Sequence, residues 1–251
     1  MATRGYTHPG TRVCSNYDPV LSTTYTTGLW RTCPLLEYAH DPFIGSYLNE
    51  SFTSYNAQAT TGDWVGTAAT AGTGGIGTAE PGVLVLDSGS TTQGQGFQAQ
   101  RTKSAFVPAA NKSIWFECKV KLVTSLSAQV FIGLAAADTS IIASNAMSTN
   151  NRIGWTSVTG DGVLLFDTDK AATGGTSTGT TLVAGTYQYL GFVYDGVADT
   201  VQQYVNGVAT GTAVATANIP KVVIYPSFVC QTNGSTQPLL HVAGLRVFQL
   251  R

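Results

Sequence analysis

With 251 residues, a formal net charge of −1 and only 11% charged side chains, the chain has neither the basic footprint of a nucleic-acid binder nor an acidic field for a cationic partner. Roughly a quarter of an ordinary soluble chain is charged, so much of this surface is expected to be covered by something other than water. Abundant Gly and Thr, frequent Tyr and Phe, and short Val-rich runs favour an all-β domain.

Residues 1–50 read as an extended N-terminal arm. Pro9, Pro19, Pro34 and Pro42 interrupt every helix or central strand, and Tyr6, Tyr17, Tyr25, Trp30, Tyr38, Phe43 and Tyr47 are scattered without a period of 2 or 3.6. Such a segment orders only against a surface, and fully extended it reaches on the order of 150 Å. The expectation is that it ties subunits together; the alternative is that it wraps its own domain. The first thirty residues hold no apolar run of the signal-peptide kind, and no later segment has the length to cross a bilayer, so a protein made and kept in a cytosol, with no membrane partner, is expected. Cys14, Cys33, Cys118 and Cys230 lack the paired spacing of a zinc site and read as buried reduced thiols. A Cys14–Cys33 disulfide is the alternative in an oxidising destination.

Residues 51–251 read as one β-sandwich. Ser51–Tyr55 is the expected entering strand, followed by a Gly/Thr/Ala-rich loop from Thr60 to Thr78. Short strands then recur at Val83–Asp87, Gly96–Gln100, Ile114–Val123, Val130–Ala135, Arg152–Thr156 and Val163–Asp167, separated by turn signals. In Ile114–Val123 the residues Ile114, Phe116, Cys118, Val120 and Leu122 alternate with Trp115, Glu117, Lys119 and Lys121, so a one-residue slip would place three charges in the core. Tyr187–Asp195 is apolar or aromatic on both alternating sets, which predicts a strand covered on both faces. Turns at Asp195-Gly196 and Asn206-Gly207 flank a strand at Thr200–Val205, and Lys221–Gln231 and His241–Arg251 complete the set.

In order, WFECKVKL, VFIGLAA, YLGFVYDG, YVNGVATG, YPSFVCQTNG and LLHVAGLRVFQLR resemble the concanavalin A-like jelly roll shared by laminin-G modules, legume lectins and laminarinases. The resemblance spans roughly Ser51–Arg251 and implies a jelly-roll β-sandwich. Joined to a proline-broken arm, this sandwich is similar to the decoration, or cement, proteins of tailed-phage heads. That resemblance implies a virion protein on the head surface, assembled in the host cytoplasm, whose partners are the major capsid protein and neighbouring copies of itself as a dimer or trimer. The arm residues Tyr6, Tyr17, Tyr25, Trp30, Tyr38 and Phe43 are its candidate capsid- and subunit-binding side chains.

Catalytic chemistry is not expected, and neither is a cofactor. The laminarinase branch uses Glu-x-Asp-x-x-Glu on one strand, and that motif is missing. Within the sandwich only Glu80 and Glu117 remain, the first read as a loop residue before Pro81 and the second as a surface ion pair with a neighbouring lysine. His8, His40 and His241 are far apart in sequence, and no Ser or Cys sits in a nucleophile-elbow context. Asp161, Asp167 and Asp169 raise calcium as an option, but turn chemistry is preferred: Asp161 sits in a Gly-Asp-Gly turn, Asp167 and Asp169 share one face at a strand end beside Lys170, and Asp138 and Asp195 read as turn formers. Asn49, Asn111 and Asn233 begin Asn-x-Ser triplets, which matter only on a eukaryotic secretory route. The alternative function is a lectin-like glycan-binding module of an adhesin or tail fibre, with Trp155, Tyr204 and Tyr225 as its aromatic platform.

Overall fold

The computed structural model describes residues 28–35, 41, 43–55, 62–123, 126–143 and 145–251. The expectations for Tyr6, His8, Cys14, Tyr17, Tyr25, Tyr38 and His40 lie outside the described residues. The strands are β1 (Gly45–Glu50), β2 (Val65–Ala69), β3 (Thr73–Ile76), β4 (Leu84–Asp87), β5 (Gly96–Gln100), β6 (Ile114–Leu122), β7 (Ala128–Ala135), β8 (Ile142–Ala143), β9 (Ala146–Met147), β10 (Arg152–Ser157), β11 (Val163–Lys170), β12 (Thr173–Thr181), β13 (Gln188–Asp195), β14 (Thr200–Val205), β15 (Val208–Ala215), β16 (Tyr225–Thr232) and β17 (Leu239–Leu250). They form an eight-stranded sheet in the order β15-β14-β13-β6-β17-β4-β3, with β1 also on β17, and a seven-stranded sheet in the order β12-β11-β10-β7-β16-β5-β2. All pairings are antiparallel, and the small β8–β9 ribbon stands apart. This is the expected sandwich of two packed sheets.

The alternation in β6 explains its central place. Ile114, Phe116, Cys118, Val120 and Leu122 all lie in the core between the sheets, while β13 and β17 pair on either side. Across that core Phe116 stacks on Phe192 at 4.9 Å between ring centroids, and Trp155 meets Phe166 edge-on at 5.2 Å. Each such ring contributes about 1.5–3 kcal/mol on burial, before any aromatic geometry is counted. The β14–β15 hairpin turns at Asn206-Gly207, with φ of 50° and 76°, the left-handed pair that a two-residue turn of this hand requires.

The entering strand is not Ser51–Tyr55. It is β1, inside the stretch assigned to the arm, pairing along the C-terminal half of β17 from Gly45 with Leu250 to Glu50 with Leu245. Leu48 faces the core and Tyr47 packs on the outer side against Phe248, so the strand has apolar groups on both faces and shows no alternation. Ser51–Tyr55 instead turns inward, and Phe52, at φ 49°, is buried against Trp64 and Phe228. The Gly/Thr/Ala tract expected as a loop contains β2 and β3, the edge strands of the two sheets.

Candidate functional site

Among the described residues, polar side chains gather on the outer face of each sheet and at the edge of the eight-stranded sheet around Glu80, among other places. On the eight-stranded sheet, Leu29–Thr32 forms a single 3-10 turn that buries Leu29, Trp30 and Cys33 against Trp115 and Phe248, with Ile44, Tyr47, Val193 and Tyr204 around them. This segment is the outer cover expected over Tyr187–Asp195. Gly191 makes room for it, since a Cβ there would collide with Leu29. The Trp30 indole Nε1 donates to Glu117 Oε2 at 2.9 Å, and the Arg246 guanidinium, 5.2 Å from the Trp30 ring centroid, pairs with the same oxygen. Glu117 is only 2% exposed, which corrects the expected surface ion pair. Its carboxylate is desolvated, and the guanidinium and indole together offset that cost. Over Leu29–Cys33 the arm therefore lies on its own sandwich. Trp30 points inward, whereas Phe43 stands 79% exposed.

The outer face of the seven-stranded sheet is covered by residues 136–143 and 145–151. Ile141 and Ile142 pack on Phe131, Ala135 and Val229. Glutamines rising from the strands stitch the flap down: Gln98 Oε1 accepts from Ile141 N at 3.0 Å, Gln100 Oε1 accepts from Asp138 N at 3.1 Å, and Gln231 Nε2 donates to Ile142 O at 3.1 Å. Beside the flap, Arg152 binds Asp167 at 2.6 Å and Asp169 at 2.9 Å, all three buried. Burial raises the Asp167 pKa against the pull of Arg152. Asp167 and Asp169 are thus neighbours on one face of β11, as their spacing implies, and they share one arginine. Asp161, Asp138 and Asp195 do serve turns, accepting the amides of Val163, Ser140 and Val197 at 2.8 to 2.9 Å.

At the edge of the eight-stranded sheet, Glu80 receives Lys121 and the Tyr187 hydroxyl, with His241 Nδ1 3.6 Å away. The hydrogen bonds from Lys121 and Tyr187 hold the Glu80 carboxyl down to about 2. Burial and the adjacent Lys121 push the His241 imidazole below its usual range. Glu80 was expected as a plain loop residue, and nothing in its local sequence points to partners on β6, on β17 and just before β13. The one available signal was that Lys119 and Lys121 share a face with Glu117 while Tyr187 and Tyr189 alternate on a second strand.

The three residues expected to form an aromatic platform do not come together. Trp155 is fully buried between the sheets, because β10 turns Ile153 and Trp155 inward, so it is not available to a sugar. Tyr204 lies half-buried on the outer face of the eight-stranded sheet beside the Trp30 cluster, and Tyr225 is half-buried at the start of β16 in the other sheet. Cys118 and Cys230 are buried thiols, Cys230 pushed up to about 12 by desolvation. Cys33 is buried in the Trp30 cluster. Among the described residues no group of three His, Cys, Asp or Glu side chains is placed to hold a metal ion, and no helix is long and apolar enough to cross a membrane.

No protein-family model and no curated protein sequence matches the chain. Solved structures do. A Bacillus licheniformis β-glucanase aligns with a TM-score of 0.58 at 14% identity, over 81% of this chain and 98% of its own. The lectin UEA-II complexed with galactose gives 0.58 at 10% identity, over 82% and 99%. Arcelin-5, a lectin-like defense protein from Phaseolus vulgaris, gives 0.55 at 12%, over 83% and 100%. At such identities the likeness shows the fold alone, and that fold is the concanavalin A-like jelly roll.

Proposed function

We propose that the protein is a non-enzymatic structural component of a virion, a phage head decoration protein that binds the capsid lattice through its N-terminal arm and sandwich. The observation that carries this reading is the clasp at Trp30. It fixes the chain to the sandwich through a buried charge-assisted hydrogen bond. A segment that must transmit load from a shell to a folded domain needs such an attachment, and a hydrolase does not. The reading is also supported by how the carboxylates are used: Glu50, Glu80, Glu117, Asp167 and Asp169 are each engaged by a Lys or Arg. That arrangement suits a scaffold, because a general acid must exchange its proton during turnover. The partners in this reading are the major capsid protein and further copies of the chain. Deleting residues 1–27 is expected to leave a folded sandwich that no longer co-sediments with capsids; full retention of binding by the truncated protein would refute the arm's role.

A second reading, a carbohydrate-binding module, is favoured by the lectin-like neighbours, one of them complexed with galactose. A glycan array distinguishes it, since a pure cement protein gives no signal there.

A further inference from the structure

The outer face of the eight-stranded sheet carries a second feature next to the Trp30 clasp. Where β17 bulges between Val242 and Gly244, two small residues interrupt the row of side chains. A cavity of about 240 Å³ opens there, lined among others by Asn49, Ser51, Glu117, Lys119, Tyr189 and Arg246. A Cβ on Gly244 would meet nothing nearer than the Glu50 carbonyl at 3.8 Å, so the space above the bulge is open.

The charges around this cavity are unevenly matched. Arg246 is paired with Glu117, Arg101 with Glu50, and Lys121 with Glu80. Lys119 has no such carboxylate among the described residues. Its ammonium sits between two aromatic rings, 5.0 Å from the Tyr187 centroid and 5.5 Å from that of Tyr189. Those π faces attract the cation but accept little of its hydrogen-bonding capacity, and an ammonium has three donors to place. The half-buried Tyr189 also contributes an apolar surface, while Asn49 and Ser51 stand exposed at the rim. One apolar face, several neutral hydrogen-bonding groups and one uncompensated cation define the ligand chemistry. A neutral sugar would leave Lys119 unmatched. A bare anion would leave the tyrosine face and the rim amide and hydroxyl unused. A sugar ring bearing a carboxylate uses all of them.

We propose that this cavity is a saccharide subsite for a uronic acid residue, with Lys119 receiving the carboxylate, Tyr189 the ring, and Asn49 and Ser51 the hydroxyls. The proposal rests on the carbohydrate-binding reading and gives it a location and a sugar class. It is tested on the full chain by calorimetric titration with digalacturonic acid, galactobiose and inorganic sulfate. Digalacturonic acid should bind about tenfold or more tightly than galactobiose, the scale of one charge-assisted hydrogen bond. Lys119→Met, which keeps the stem packed between the tyrosines, should remove that preference. Gly244→Leu, which fills the cavity without touching a charge, should abolish binding with the melting temperature unchanged. Sulfate binding as tightly as digalacturonic acid would reduce the site to an anion hole and overturn the sugar assignment. Digalacturonic acid binding insensitive to both variants would place the sugar elsewhere, overturning the site while leaving the carbohydrate reading standing. Absence of binding by digalacturonic acid would overturn the site, and a blank glycan array in addition would overturn the reading beneath it.

Discussion

Glu117 shows how much a single side chain can depend on a distant segment. Its partner Trp30 is 87 positions away, and Arg246 is 129 away on the opposite flank. Trp30→Phe takes away the indole N–H together with part of the ring; the lost donor to a buried charged acceptor alone accounts for about 1–3 kcal/mol. Arg246→Met should cost more, about 3–5 kcal/mol, by stripping the carboxylate of its counter-charge. Urea denaturation of the two variants checks that order. The alternation in β6 made the inward and outward sets legible, but a period of two says which face a residue occupies and nothing about what covers it. That is why Glu117 read as a surface ion pair. Glu80 gives a prediction of the same kind in pH. Its carboxyl is held to about 2 against an ordinary 4.5, so the folded form releases the proton more readily than the unfolded one. The Lys121–Glu80–Tyr187 bridge therefore stabilises the fold fully above about pH 4.5, and that contribution is lost as pH falls towards 2. Glu80→Gln should flatten the acid limb of a melting-temperature profile; an unchanged slope would show that the bridge does not couple to folding.

At the level of elements, the strands with large alternating side chains were legible and the small-residue strands were not. β2, β3, β12 and β15 are built largely from Gly, Thr, Ala and Val, and each is an edge strand of its sheet. They are strands because a neighbour offers an unpaired row of amides and carbonyls, which leaves no pattern in their own residues. The flap over the seven-stranded sheet was invisible for a related reason: its hold comes from Gln98, Gln100 and Gln231, which sequence reads as ordinary outward strand residues. Arg152 ties this region together from β10, binding both carboxylates of β11. Arg152→Met should leave two carboxylates buried two residues apart and cost about 3–5 kcal/mol. Adding Asp167→Asn and Asp169→Asn should recover a large part of that loss, since neutral amides carry no uncompensated charge. A recovery measured by denaturant midpoints would assign the cost to charge burial, and failure to recover would assign it to lost packing of the arginine stem.

For the whole molecule, two stretches from within residues 1–50 join the sandwich. β1 begins the sheet at Gly45, and Leu29–Cys33 already belongs to the outer cover of that sheet. Two truncations should therefore behave differently. Removing residues 1–27 keeps all of these contacts in place and serves as the reference truncation. Removing residues 1–34 uncovers Trp115 and Phe248, deletes the buried Leu29 and Trp30 side chains and takes a donor from Glu117. At about 1.5–3 kcal/mol for each apolar side chain, plus about 1–3 kcal/mol for the orphaned acceptor, the loss is roughly 4–9 kcal/mol. That is comparable with the whole stability of many domains. At roughly 2–4 °C per kcal/mol for a chain of this size, the melting temperature should fall by about 10 °C or more. Newly exposed Trp115 and Phe248 should also bind a hydrophobic dye. If the longer truncation melts with the intact chain, the clasp is not part of the folded unit, and the sandwich begins after it.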